Sequence, residues 1–176
     1  MIDRLIDVIL QFADNIKFWQ IVDHYEKGVR LRFGNYVGDV LGPGYHWKLP
    51  FADAILTIMI KMTTMRLPEQ TVTTLDGKVV VVKAIIKYEI SDAAKILLEV
   101  NDAIDAVADM AQGIVREKII VANYEDCNNI MFGNEITKKV RAEAKKWGIE
   151  VEVVTITDFG RMTSIRLLNT AGIQQT

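Results

Sequence analysis

The apolar residues of this chain change their spacing after Ile90, and that change limits the folds open to it. Between Gln20 and Ile90 they alternate with polar residues or run together in β-branched stretches, of which Val79 to Ile90 is the clearest. From Ser91 onward they recur every three or four residues, which is the spacing of one helix face. Strands grouped before helices predict an α+β domain, with helices packed on one face of a mostly antiparallel sheet.

Turn residues divide the strand region into shorter pieces. Asp76-Gly77 predicts a tight hairpin. The stretch from Ala54 to Leu67 holds many β-branched residues and is predicted as one long strand. The segment from Gly42 to Phe51 carries glycine and proline at both ends, so we expect a short extended piece that places Tyr45 and Trp47 on one side.

Predicted helices follow the strands in sequence, and one more predicted strand comes after the helices. Ile149 to Ile156 is predicted as that strand, entered through Gly148 at the end of a helix. The segment from Asn123 to Asn129 is expected to be a loop. The predicted helix caps are Ser91 for a short helix, Asn101 or Asp102 for a longer one, and Asn134 for a third.

The composition argues against several classes of function. A formal net charge of −2 gives no electrostatic reason to expect nucleic-acid binding. The single Cys127 excludes an internal disulfide and fits a reducing compartment. His24 and His46 lie far apart with no cysteine cluster, so neither a metal site nor a cofactor is expected. With no nucleophile–base pair and no phosphate-binding loop, the chain is predicted not to be an enzyme.

Residues 1–19 form an amphipathic segment, with apolar residues on one helical face and mostly polar residues on the other. Its charged residues would be costly in the hydrocarbon core of a bilayer, so it is not predicted to span a membrane. It also lacks the basic start and the cleavage site of a secretory signal. We therefore predict an N-terminal amphipathic helix that precedes the α+β domain and lies on a membrane surface. Its apolar side can also pack into a subunit interface or fold back on its own sheet. The residues predicted to contact membrane are Ile2, Leu5, Ile6, Ile9, Phe12, Ala13, Ile16 and Trp19, with Tyr45 and Trp47 as a second lipid contact.

Three segments in order resemble the stomatin, prohibitin and flotillin (SPFH, or band 7) family. The first runs from Gly42 to Phe51 and resembles the family's GPG…H…LPF segment. The second runs from Thr71 to Tyr88, with a Thr-x-Asp-Gly-x-x-Val core that is similar to a family hairpin. The third runs from Trp147 to Asp158 and resembles the family's WGI-x-V strand.

The resemblance implies a function that composition does not show. It implies a membrane-associated scaffold on the cytoplasmic face, which assembles from many copies into rings or cages and organises a membrane patch or restrains membrane proteins. The implied partners are further copies of the chain, membrane lipid, and a membrane protease or another membrane protein. The alternative is a soluble oligomeric interaction module whose N-terminal helix packs on a neighbouring subunit.

The expected domain organisation follows from these assignments. Residues 1–19 form the membrane-associating helix and residues 20–160 form the SPFH domain. Residues 161–176 form a short C-terminal tail or the start of an oligomerisation helix.

Overall fold

The computed structural model describes residues 18–99, 101–127 and 129–162. The predicted membrane-contacting positions from Ile2 to Ile16 lie outside these residues, as does most of the predicted C-terminal tail. Trp19 is described, and it belongs to a strand rather than to a helix. The predicted helix therefore does not extend to Trp19, because the backbone there pairs with the strand that holds Trp47.

The described residues form nine strands and four helices in the order that the sequence predicts, with strands first and one strand last. The strands are β1 (Trp19–Val22), β2 (Glu26–Arg32), β3 (Asn35–Leu41), β4 (Gly44–Trp47), β5 (Asp53–Met59), β6 (Thr63–Arg66), β7 (Gln70–Thr73), β8 (Val79–Ile90) and β9 (Ile149–Arg161). The helices are α1 (Ala93–Leu98), α2 (Ala103–Ile120), α3 (Tyr124–Cys127) and α4 (Ile130–Ala144), with a 3-10 turn at Lys145–Trp147.

Strand β8 is the centre of the largest sheet. It pairs antiparallel with β9 along one edge, and with β6 and β7 one after the other along its second edge. Its side chains alternate strictly, so that Val80, Val82, Ile86 and three more positions are buried under the helices. The fold class is therefore α+β with mostly antiparallel sheets and the helices after the strands, as predicted.

Helix α4 packs beside β9 and bonds to its backbone through two side chains. The Thr137 hydroxyl accepts a hydrogen bond from the Val154 backbone N–H, and Arg141 donates to the carbonyl oxygens of Val151 and Glu152. The pairing of β9 with β8 shifts register twice, between Lys83 and Ala84 and again near Tyr88. These bonds satisfy backbone groups of β9 that face away from β8.

The first five strands form two smaller sheets. One is the ribbon β1–β4, and the other has β2 between β3 and β5. Ile58 and Ile60, at the end of β5, pack against the large core. Because β5 runs antiparallel to β2, the opposite end of this sheet, at Arg32 and Asp53, points away from that core.

Several local predictions were wrong. The predicted strand from Ala54 to Leu67 is split into β5 and β6, because its first part pairs with β2 and its last part pairs with β8 in another sheet. Asn129 caps α4 instead of Asn134, and its side chain accepts from the Met131 N–H.

Two further boundaries also differ from prediction. Asp92 caps α1 rather than Ser91, whose hydroxyl instead donates to Gly148 O. The predicted loop between Asn123 and Asn129 contains the short helix α3, whose first N–H, that of Tyr124, bonds to Asp76.

Gly148 joins the end of the helical region to the large sheet. Its φ is +79°, and a Cβ atom placed there would lie 2.9 Å from the backbone oxygen of Asp92. Its own carbonyl oxygen accepts hydrogen bonds from the backbone N–H groups of Ser91 and Asp92. Both the left-handed backbone and the close approach therefore require glycine.

We predict that Gly148→Ala lowers the free energy of unfolding by about 2 kcal/mol or more, because it adds left-handed strain to a clash with backbone. Chemical denaturation of both proteins measures the difference. Gly42→Ala is the matched control, since a Cβ there meets nothing within 4 Å and no positive φ is involved. Equal losses in the two variants would contradict this account of Gly148.

Asp76 ties the β7–β8 hairpin to helix α3. Its carboxylate accepts hydrogen bonds from Lys78, from the Thr74 hydroxyl and from the Tyr124 N–H. These contacts, that with Lys78 first, lower the pKa of Asp76 to about 2. The predicted hairpin at Asp76-Gly77 is present, and Gly77 has the positive φ that such a turn requires.

Asp76 makes the stability of the protein depend on pH in acid. A lowered folded pKa means that this stabilisation is complete above the unfolded value of about 3.9 and is lost as pH falls through about 2. We predict that Asp76→Asn flattens the loss of stability between about pH 4 and pH 2, measured by denaturation at each pH. Asp109→Asn, at an exposed position of α2, should keep the slope of the parent; an unchanged slope in the Asp76 variant would refute the assignment.

Candidate membrane-contacting surface

The ribbon β1–β4 presents one apolar face to solvent. Trp19 lies opposite Trp47, and Ile21 lies opposite Tyr45, so the four side chains project from the same face. Their exposed fractions are 56%, 66%, 53% and 80% in that order. We call these four residues the ribbon face. Single exposed apolar residues are ordinary, whereas four neighbours on one face form a patch that indicates an interaction site.

The hairpin between β2 and β3 ends in an exposed aromatic residue. Arg32 pairs with Asn35, which leaves Phe33 and Gly34 as the two turn residues, with φ of +49° and +80°. Two positive φ values are typical of the hairpin turn that favours Asn-Gly. Phe33 is nevertheless there and is 77% exposed. A bulky residue in this conformation is strained, and its ring gains little packing in return.

A second strained aromatic residue lies beside the first. Phe51, in the turn between β4 and β5, has φ of +68° and is 90% exposed. The Phe33 N–H donates to the oxygen of Ala52, the next residue after Phe51, over 2.7 Å. We call Phe33 and Phe51 the aromatic tips. Since strained residues persist where the surrounding structure fixes them, and often at functional sites, this pair is the strongest functional signal in the described structure.

A buried carboxylate holds the two turns together. Asp53 accepts two hydrogen bonds from the Arg32 guanidinium, at 2.8 and 3.3 Å, and a third from the Leu49 N–H. The Asp53 side chain is only 2% exposed. The bonds from Arg32, followed by that from Leu49, lower the pKa of Asp53 to about 2, so the carboxylate stays charged at neutral pH. This clamp joins the end of β2 to the start of β5 directly beneath the tips.

The ribbon face and the aromatic tips lie at the end of the small sheets that is remote from the helices. The Lys48 N–H donates to Phe18 O, and the Phe18 ring stacks on Trp47 with 5.9 Å between ring centres. Phe18 is the first described residue, so residues 1–17 join the described structure at this apolar end.

The structure brings together the predicted contact residues that it describes. Trp19, Tyr45 and Trp47 share the ribbon face, although Trp19 was predicted on a helix. Neither aromatic tip was predicted. The available signal was the Phe33-Gly34 pair, because a bulky residue at a turn position that favours asparagine is unusual. The remaining predicted residues, from Ile2 to Ile16, lie outside the described part of the chain.

Other groups with possible chemistry have structural partners or are buried. His46 Nε2 lies 2.6 Å from Gly42 O, inside the segment that resembles the family motif. Cys127 is a free, buried thiol, and burial followed by the charge of Asp126 raises its pKa, which disfavours the reactive thiolate. Among the described residues, no helix is both long and apolar enough to cross a bilayer.

Comparison with known proteins gives a family for nearly the whole described part. The model of the SPFH domain / Band 7 family matches residues 20–162. An uncharacterized protein of Archaeoglobus fulgidus is 31% identical over 89% of this chain, and Stomatin-1 of Caenorhabditis elegans is 28% identical over 79%. A stomatin homolog of Pyrococcus horikoshii is 26% identical over 88%. The chain spans 62%, 43% and 57% of the lengths of these relatives, respectively.

The strain at the first tip gives a prediction for the protein in water. Phe33→Asn should raise the free energy of unfolding by about 1 kcal/mol, because asparagine tolerates the left-handed turn and the exposed ring loses little packing. Chemical denaturation without lipid measures it. Tyr36→Asn is the control, an exposed aromatic residue of β3 without positive φ, and should be neutral or destabilising. A less stable Phe33 variant would show that the turn is not strained.

Proposed function

This chain belongs to the SPFH domain / Band 7 family, and from that membership we propose that it is a membrane-associated scaffold whose copies assemble into a ring or cage. The observation that carries the proposal is the pair of aromatic tips, which are strained, exposed and held by the Arg32–Asp53 clamp. Aromatic side chains that project from a rigid support into a membrane interface anchor a protein without spanning the bilayer.

The size of the apolar surface indicates weak attachment by a single copy. Transfer of one phenylalanine side chain out of water contributes about 2 kcal/mol. The two tips together therefore supply about 4 kcal/mol, which corresponds to a dissociation constant near 1 mM. The ribbon face adds aromatic area at the interface, and the segment 1–17 joins at the same end. Linked copies then bind much more tightly than one, because each bound copy raises the effective concentration of the others.

The proposal extends to location and partners. We place the scaffold on the cytoplasmic face, because its single cysteine is free and would meet a reducing environment there. Its partners would be membrane lipid, further copies of itself, and a membrane protein such as a protease that the assembly surrounds or restrains. Its role would be organisation of a membrane patch rather than catalysis.

Flotation with liposomes tests the proposal. We expect the full chain to float with vesicles of neutral phospholipid, and the double variant Phe33→Asn, Phe51→Asn to lose at least about tenfold in bound fraction at limiting lipid. Because asparagine fits both left-handed positions, the variant should fold. The matched control is Leu75→Asn with Val121→Asn, which removes two apolar residues of 66% and 64% exposure from the helix-bearing part.

Three results separate the possibilities. Flotation of the tip variant at the level of the control would exclude the tips as the contact. A full chain that stays in solution with every vesicle composition would refute membrane attachment. In that case, loss of multimeric mass on removal of residues 1–17 would favour the alternative, a soluble module whose N-terminal segment packs on a neighbouring subunit.

A further inference from the structure

The two aromatic tips belong to one rigid projection of the protein. The Phe33 N–H donates to Ala52 O over 2.7 Å, so the two turns are joined next to both tips. The Arg32–Asp53 clamp fixes the same two turns from beneath, through hydrogen bonds of 2.8 and 3.3 Å. The two rings therefore reach any facing surface together, and neither turn can move aside to fit that surface.

The position of the clamp limits how deep the tips can enter an apolar phase. Arg32 immediately precedes Phe33, and Asp53 lies two residues after Phe51. The Arg32 side chain is 44% exposed while it bonds to Asp53. Transfer of this ion pair into hydrocarbon would remove the remaining hydration of Arg32, which is costly. In a bilayer the rings would therefore enter the boundary between headgroups and acyl chains, while the clamp stays in the headgroup layer.

The charges of the small sheets are balanced. At the apolar end, Arg32 pairs with Asp53 at 2.8 Å and Arg30 pairs with Asp39 at 3.6 Å. Residues 18–60 contain four cations and four carboxylates, namely Lys27, Arg30, Arg32 and Lys48, and Asp23, Glu26, Asp39 and Asp53. Residues 1–17 add two cations and three carboxylates, which leaves residues 1–60 with one more negative than positive charge. This part of the chain therefore gains no net attraction from an anionic surface.

Lys48 is the cation best placed to contact an anionic lipid at the apolar end. It is half-buried, and its Nζ atom donates to the neutral side chain of Gln20 over 3.4 Å. One lysine near an anionic leaflet raises affinity by about fivefold, whereas segments that recognise anionic lipid carry clusters of about four to eight basic residues. A single lysine among balanced charges therefore does not select lipid by its charge.

We propose that the aromatic tips act as a wedge that selects loosely packed, zwitterionic regions of a bilayer, and that anionic headgroups take no part in attachment. The inference rests on the proposed function in that the tips contact the membrane. A rigid wedge enters only where headgroups separate, and headgroups are already spread apart in the outer leaflet of a strongly curved vesicle. Binding at the interface is therefore sensitive to curvature when apolar insertion, rather than charge, supplies the affinity.

Flotation of the full chain with vesicles of dioleoylphosphatidylcholine tests the selection by packing. At equal accessible lipid, the bound fraction should be at least about threefold higher on vesicles of about 30 nm diameter than on vesicles of about 200 nm. The double variant Phe33→Asn, Phe51→Asn should lose this difference. The control Leu75→Asn with Val121→Asn should keep it. Equal binding of the full chain to both sizes would overturn the selection by packing, whatever the variants do.

A second series of vesicles tests the role of lipid charge. Replacement of about a third of the lipid by dioleoylphosphatidylserine, at constant diameter, should change the bound fraction of the full chain by less than about twofold. An increase in salt from about 0.05 M to about 0.5 M should not lower it. Lys48→Gln should bind to both compositions as the parent does. A gain of about fivefold or more with phosphatidylserine, lost at high salt or in Lys48→Gln, would overturn the independence from charge.

These failures are distinguishable from failure of the proposed function. A full chain that floats equally with small and large vesicles, or only with anionic ones, would overturn this inference and leave membrane attachment standing. A full chain that floats with no vesicle of any size or composition would refute membrane attachment, and this inference with it. Size-dependent flotation that the tip variant retains would assign the selection to another part of the chain, and would overturn the wedge.

Discussion

The pairing of β8 with β9 is the constraint on which the rest of the structure depends. It joins the last strand of the chain to the centre of the large sheet, from Val80 opposite Arg161 to Ile90 opposite Ile149. The four described helices lie between these strands in sequence, so the pairing closes one long loop and fixes where they pack. Such a contact stabilises the fold only after much chain entropy has been lost, and burial of a mostly apolar interior offsets that loss. Thr137 and Arg141 supply the polar contacts that an irregular strand needs where its register with β8 shifts.

Local chemistry determined what could be predicted from the sequence. The strand from Val79 to Ile90, the hairpin at Asp76-Gly77 and the helix end at Gly148 have strong short-range signals, and the structure contains all three. The break after Met59 depends on a change of pairing partner from β2 to β8, which no pattern within a short window indicates. The cap at Asn129, in contrast, is a local contact with the Met131 N–H. At the candidate surface, alternation placed Tyr45 and Trp47 together, whereas Phe33 and Phe51 belong to no periodic pattern. Only their conformation, which requires the fold, distinguishes them from ordinary exposed residues.

The large sheet and the apolar end of the molecule differ in how well their residues suit the local backbone and solvent. In the large sheet, side chains satisfy the demands of packing, and glycine occupies Gly148 because no other residue fits. At the apolar end, phenylalanine occupies two left-handed positions that suit glycine or asparagine, and tryptophan and tyrosine face water. A chain selected for stability in water alone would have neither feature. The buried Asp53, charged and fully bonded, keeps this unfavourable arrangement rigid. Rigidity matters because a flexible turn would turn its aromatic side chain back against the protein rather than leave it exposed.

The proposed membrane attachment and the proposed assembly of copies place one shared requirement on how the subunits are arranged. A membrane is flat on the scale of one domain, so weak contacts reinforce each other only if all the apolar ends reach the same plane. Closed assembly about a single rotation axis meets this requirement when that axis stands normal to the membrane, because equivalent atoms then lie at the same height above it.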